Sequence, residues 1–207
     1  VIPNGVDTDT FTVSPERRVL ARKQLGLPSD ALVLGCVARL SAQKRPQALL
    51  ALFARLAPQF PNLYVVLVGT GPLDAMLRLQ AQQSGLQDRI VFAGFRQRVE
   101  LLMPAFDLHV LLSKNEGFGI ATIEAMACGV PAVGTDVPGT RDILHDSEGG
   151  LLLPLDDEHA ACAAVARLLV DAPRRARMGR LAREETVQRY SMPRLERQLR
   201  AFYAGLV

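Results

Sequence analysis

Short, unbroken apolar runs alternate along the chain with stretches whose apolar residues recur every three or four positions. Leu32 to Ala38 is the first such run, and its lack of polar alternation predicts a strand buried on both faces. Pro46 to Phe60 follows, with Leu49, Leu50, Phe53 and Leu56 at helical spacing and Pro61-Asn62 as a stop. Leu63 to Val68 predicts a second strand, closed by Gly69-Thr70-Gly71-Pro72, and Leu73 to Ser84 the next helix. Further strands are predicted at 89–93, 107–112, 131–135 and 151–153, with a short helical stretch near 99–103. A helix over 120–127 is ended by Gly129 and Pro131. From Asp156 onward the chain reads as helices. The last, Met192 to Leu206, carries Met192, Leu195, Leu199, Phe202 and Leu206 on one stripe.

Strands alternating with helices of this length predict an α/β fold: a Rossmann-like, doubly wound parallel sheet with helices on both faces. The order of the strands does not follow from the sequence. No repeat, linker or low-complexity segment divides the 207 residues, so residues 1–207 read as one domain. Hydrophobic residues make up 49% of the chain, enough for a substantial core. The net charge of +3 is no footprint for nucleic acid, though it suits an anionic ligand. Cys36, Cys128 and Cys162 are too scattered for a disulfide framework or a zinc site and read as buried thiols in a reducing cytoplasm. No apolar run of about eighteen residues predicts a membrane span, and no signal peptide opens the chain. The first residue is Val1 rather than Met, which reads as a cut inside a longer protein.

In an open parallel sheet the ligand lies at the carboxyl ends of the strands. Here those ends carry Arg39, then Gly69 and Gly71, then Phe95 and Arg96, then the segment Ser113 to Gly119, then Asp136. Gly117-Phe118-Gly119-Ile120 runs straight into a helix, whose free N–H groups and dipole can hold a diphosphate. A plain tight turn explains the same glycines. Arg39 and Lys44, five residues apart around one loop, can clamp a diphosphate and stabilise it as a leaving group, or can simply be solvated. Glu116 and Glu124 on one helix would sit about 80° apart. The glycines between them put Glu116 in the loop and Glu124 in an early turn, so both can face one cleft and accept from sugar hydroxyls.

Taken together, Glu116-Gly117-Phe118-Gly119 and Glu124 to Pro131 resemble the paired-glutamate signature of glycosyltransferase family 4. The flanks agree in order: Val1 to Asp7 is similar to the interdomain crossing segment, and Ala38 to Leu40 with Lys44-Arg45 to the donor-phosphate loop. The resemblance implies the C-terminal, donor-binding half of a GT-B fold that transfers a sugar from a nucleotide diphosphate with retention. Residues 1–15 would be the crossing segment, and 190–207 a helix returning to an absent N-terminal acceptor domain. By that likeness Arg39 and Lys44 would hold the diphosphate, and Glu116 with the N–H groups of Gly117, Phe118, Gly119 and Ile120 the donor sugar. Glu124 would bind the ribose, the backbone around Phe95 and Arg96 would face the base, and Gly69 and Gly71 would line the donor site. No cofactor or metal is expected beyond the nucleotide-sugar itself. The expected place is the cytoplasm, with a peripheral membrane contact of the full-length enzyme left open.

Asp7-Thr8-Asp9 mimics a metal-binding Asp-x-Asp but precedes every strand and reads as chance. Gly69-Thr70-Gly71 is half of a dinucleotide fingerprint and follows the wrong strand, which argues against an oxidoreductase. His109 and His145 have no catalytic partner, and the run Arg174, Arg175, Arg177, Arg180, Arg183 reads as a solvated helix face. The alternative to a transferase is a nucleotide-binding or scaffolding domain without catalysis.

Overall fold

The computed structural model describes residues 2–205. Six parallel strands form one sheet: β1 (Leu32–Val37), β2 (Leu63–Val68), β3 (Ile90–Gly94), β4 (Leu108–Leu111), β5 (Ala132–Thr135) and β6 (Gly150–Leu153). Their order is β3-β2-β1-β4-β5-β6. The chain therefore winds outward from β1 to one edge, returns to lay β4 against β1, and winds to the other edge. The crevice of such a sheet opens where the direction reverses, at the carboxyl ends of β1 and β4. Within β1, Leu34 and Cys36 point to one face and Val33 to the other, and all are buried. That two-sided burial explains the unbroken apolar run.

One face is covered by α2 (Pro46–Leu56) and α6 (Glu158–Val170). Pro46 opens α2 with a φ already suited to a helix. Leu49, Phe53 and Leu56 from α2 are at most 2% exposed against Leu34, Val65 and Leu67. Each such side chain contributes about 1.5–3 kcal/mol. The other face carries α4 (Ile120–Ala127) packed on α7 (Ala172–Tyr190), together with two 3-10 turns, Val99–Leu101 and Met103–Ala105. Further helices are α3 (Asp74–Gln83), α5 (Pro138–Leu144) and α8 (Met192–Ala204).

Helix α1 (Pro15–Gln24) is absent from the hydrophobic pattern, and it takes the end of the expected 1–15 crossing segment. Its Val19 and Leu20 face solvent, and its inner side is held by arginines. Arg18 and Arg22 reach Asp107 at 2.6 and 2.9 Å, and the same carboxylate accepts the Val33 N–H at 2.8 Å. Helix α5 is likewise missing from the pattern, being only 7 residues long. The stripe expected on the last helix is only in part a packing face: Met192, Leu199 and Phe202 are exposed, and Leu206 lies outside the described residues. Val6 pairs with Ser191 and receives the Met192 N–H at 3.1 Å, tying the opening segment to the start of α8. Within the basic run, Arg175 caps the Leu168 and Leu169 carbonyls and Arg183 holds those of Phe11 and Ala127. Only Arg174, Arg177 and Arg180 make the solvated face expected of all five.

Candidate functional site

Two cavities open at the reversal of the sheet and share Val37 and Ala38 as a common wall. The first, about 710 Å³, takes in Arg39, Gly69, Gly71, Phe95 and Arg96. The second, about 490 Å³, takes in Asn4, Lys44 and Glu116 to Ala121. A separate apolar cavity of about 30 Å³ between α2 and α6 is far too small for a nucleotide.

Arg39 follows β1 on the exposed rim, and among the described residues it has no carboxylate partner. Its loop is fixed from below. Leu40 N–H donates to the Thr70 carbonyl at 3.0 Å and Leu73 N–H to the Leu40 carbonyl at 3.0 Å. Gly69 has φ +135°, and a Cβ there would overlap the Ala38 carbonyl oxygen, as one at Gly71 would overlap that of Leu40. Both glycines thus let two strand ends close on each other and hold the Arg39 loop. Phe95 stands 73% exposed after Gly94, whose φ is +70°. An aromatic ring left in water at a cavity mouth is available to stack on a flat ligand.

In the second cavity Lys44 Nζ donates to both oxygens of Glu116 at 2.6 Å. Glu116 is 8% exposed and also accepts from Ser113 Oγ at 3.1 Å. Ser113 is itself held, its carbonyl accepting from Thr135 Oγ1 at 2.5 Å. The buried thiol of Cys36 belongs to the same charged neighbourhood, and burial pushes it up to about 12. Gly119 caps α4 in the left-handed region with φ +94°, and no side chain caps the helix. The first N–H groups of α4 therefore remain available to an anion. Phe118 lends this cavity its backbone, while its ring packs edge-on against Tyr190 at 5.7 Å.

Glu124 stands apart from the other candidate residues and lines neither cavity. It is half-buried in α4, and burial, then the nearby Glu100 carboxylate, push it up to about 7. Glu100 is 7% exposed and paired with Arg98 at 2.8 Å, next to Val99 of the first cavity's wall. Glu100 escapes sequence reasoning because Glu124, the carboxylate it acts on, stands on a different helix, and Ser113 is legible at the end of its strand but its bond to Glu116 depends on the conformation of the loop between them. The only available signal is a charge at 100 inside an otherwise apolar helical stretch. The Asp7-Thr8-Asp9 segment is a turn: Asp7 accepts from the N–H groups of Asp9 and Thr10 and from Thr10 Oγ1. Among the described residues no cluster of three or more His, Cys, Asp or Glu could hold a metal ion.

The family described as glycosyl transferases group 1 matches residues 18–185. A D-inositol 3-phosphate glycosyltransferase of Stackebrandtia nassauensis is 39% identical over 190 residues, which are 86% of this chain and 42% of that protein. The lipopolysaccharide core biosynthesis mannosyltransferase LpsB of Rhizobium meliloti is 32% identical across 100% of this chain and 61% of its own length. The chain thus spans about half the length of the curated relatives it matches. Among solved structures, Anabaena Alr3699/HepE in complex with UDP-glucose superposes with a TM-score of 0.90 at 28% identity, over 99% of this chain and 57% of that one. The superposition carries the doubly wound fold across almost the whole chain.

Proposed function

Because the chain belongs to the glycosyl transferases group 1 family, we propose that it binds a nucleotide-diphosphate-sugar and supplies the donor half of a retaining glycosyl transfer. The observation that carries the reading is the pair of cavities joined at Val37 and Ala38, with a free cation at one and a cation–carboxylate pair in the other. The nucleoside occupies the cavity of Phe95 and Arg96, its base over the Phe95 ring. The diphosphate bridges to Arg39, Lys44 and the first N–H groups of α4. The sugar lies against Glu116 and the backbone of 117–120; Glu124 lines neither cavity, and its role at the ribose hydroxyls rests on the family 4 signature alone.

Transfer breaks the bond between the anomeric carbon and the diphosphate, and charge builds on the departing oxygen. Arg39 and Lys44 are placed to compensate that charge, an electrostatic contribution that grows toward the transition state. Lys44 is neutralised by Glu116. A diphosphate drawing on Lys44 frees one Glu116 oxygen to accept from a sugar hydroxyl, so the two ends of the donor bind together. Retention rests on the family 4 signature at Glu116 and Glu124. The acceptor is taken to be held by a second domain, and UDP-glucose in Alr3699/HepE makes the UDP series the first to try.

Titration calorimetry with UDP-, GDP- and ADP-sugars, and NAD as control, tests the reading. One diphosphate series should bind, and Arg39→Ala should weaken it about tenfold or more while leaving Tm unchanged, as loss of a charged hydrogen bond costs about 1.5–3 kcal/mol. Glu124→Ala should also weaken it, without lowering Tm, since the half-buried carboxyl stands against Glu100. A folded chain that binds only NAD, or none of the four, sinks the proposal.

A further inference from the structure

The loop that carries Glu116 is backed by a helix to which the functional reading assigns no role. Gly139, in the first turn of α5, lies flat against it. A Cβ at Gly139 would overlap the Glu116 carbonyl oxygen and come within 2.8 Å of both Gly117 C and Phe118 N. These are backbone atoms, which cannot turn aside as the end of a side chain can. Gly139 N–H also donates to the Glu116 carbonyl at 3.2 Å. Its φ is not left-handed, so backbone conformation is not what requires a glycine here. The same helix touches the far end of the loop through Ile143, fully buried, whose Cδ1 lies 3.3 Å from where a Cβ on Gly119 would sit. One step upstream, Thr135 holds the Ser113 carbonyl, and Ser113 holds Glu116.

We propose that Gly139 is a positioning residue for the donor sugar: α5, through this bare contact, sets where Glu116 and the N–H groups after it stand. The inference rests on the donor-binding reading above. Glu116 to Phe118 line the smaller cavity and none of them lines the larger one, so a shift of this loop acts on the sugar end of the donor and spares the nucleoside end. Any side chain at 139 forces the loop forward into the cavity, whereas elsewhere on α5 a similar overlap falls on side chains. Gly150 is the comparison: a Cβ there would lie 2.5 Å from Leu144 Cδ2 and would press on the other end of α5 without touching the loop.

The experiment compares diphosphate with diphospho-sugar binding to the 207-residue chain, using UDP and UDP-glucose, GDP and GDP-mannose, and ADP and ADP-glucose. In Gly139→Ala the diphospho-sugar should weaken about tenfold or more beyond any weakening of the nucleoside diphosphate, whose phosphates also meet Arg39 outside this loop. Gly150→Ala should lower Tm and leave the ratio of the two affinities as it was. Equal weakening of both ligands in Gly139→Ala, or the same change of ratio in Gly150→Ala, overturns the inference and leaves the donor reading standing. A wild-type chain that binds none of the three pairs overturns both. Should Gly139→Ala fail to fold, amide exchange in the unaltered chain decides: the sugar-bearing ligand should slow exchange at Gly139 N–H beyond the diphosphate alone, and equal protection refutes the role.

Discussion

A buried and a half-buried titratable side chain off the cavities make opposite demands on pH. His109 lies in the middle of β4, fully buried, with neither ring nitrogen meeting a protein partner, and burial pulls it down from 6.5 to about 4. The folded chain therefore binds this proton less readily than the unfolded chain, and stability falls as pH drops from 6.5 through 4. Glu124 runs the other way. It is raised from 4.5 to about 7, so its contribution is fully present below 4.5 and is lost as pH climbs through 7. The two windows overlap and their slopes oppose. Glu124→Gln should expose the His109 slope, with stability rising between pH 4 and 6.5 by about 3 kcal/mol. His109→Leu should expose the Glu124 slope, falling toward neutral pH by about 1–2 kcal/mol once solvent screening of a half-exposed carboxyl is allowed for. Urea titrations of the three proteins across pH 4–7.5 check both. Parallel curves for wild type and either variant would mean that the altered side chain does not set the slope. The candidate residues themselves were legible at this scale because the ends of the strands were legible: Arg39, Lys44, Glu116 and the glycines of 117–119 fall where a parallel sheet must present them. Their partners were not. That Glu116 meets Lys44, or that Glu124 meets Glu100, depends on which crossover lands beside which, and spacing along the chain does not contain it.

Elements were legible in proportion to how far burial shaped their composition. The strands are buried by apolar side chains, and their patterns give them away within a residue or two, whereas α2, expected to run to Phe60, ends at Leu56 ahead of the Pro61 stop. Helix α1 is held by charge instead, and a hydrophobic pattern is blind to it. Arg18 gives its guanidinium to the Pro104 and Phe106 carbonyls, and Arg22 gives its own to that of Ala105, with Asp107 shared between them. Asp107 is 12% exposed in these pairs, and burial holds Arg22 below its usual range despite the carboxylate. Removing the carboxylate would leave two partly buried guanidinium groups uncompensated and the Val33 N–H at the entry to β1 without its acceptor. Breaking one partner of a buried pair costs about 3–5 kcal/mol. The exposure of Arg18, 36%, puts this case at the low end. Asp107→Ala should thus lose about 3 kcal/mol, a drop in Tm on the order of 6–12 °C for a chain of this size. Since α1 and Asp107 sit at the amino ends of the strands, affinity for a diphosphate at the carboxyl ends should not change. A loss of affinity as large as the loss of stability would show that the two ends of the sheet are coupled.

At the scale of the whole molecule, the order β3-β2-β1-β4-β5-β6 is what brings Arg39 and Glu116 to one crevice, and it is the feature that sequence pattern leaves open. Asn4 lines the smaller cavity, and two residues on, Val6 is bridged to Ser191 at the start of α8. From there α8 carries Phe202 and Tyr203 at 55% and 63% exposure, an apolar face left in water. If a second domain holds the acceptor, this chain should bind the donor and transfer nothing, because closing two domains over the substrates completes such a site and excludes water from it. Release of diphosphate from the bound diphospho-sugar, with and without a panel of sugar-alcohol and glycan acceptors, measures this directly. Turnover by the chain alone at ordinary enzyme rates, about 1 s⁻¹ or faster, would sink the half-enzyme reading. The exposed face adds a second check that needs no acceptor. Leu199→Glu with Phe202→Glu should leave Tm and diphosphate affinity unchanged, since neither side chain is buried and neither lines a cavity. It should also abolish any self-association seen by sedimentation at high concentration, since an apolar helix face left in water associates. A fall in Tm of more than about 5 °C would mean instead that α8 is packed into this domain and is not presented to another.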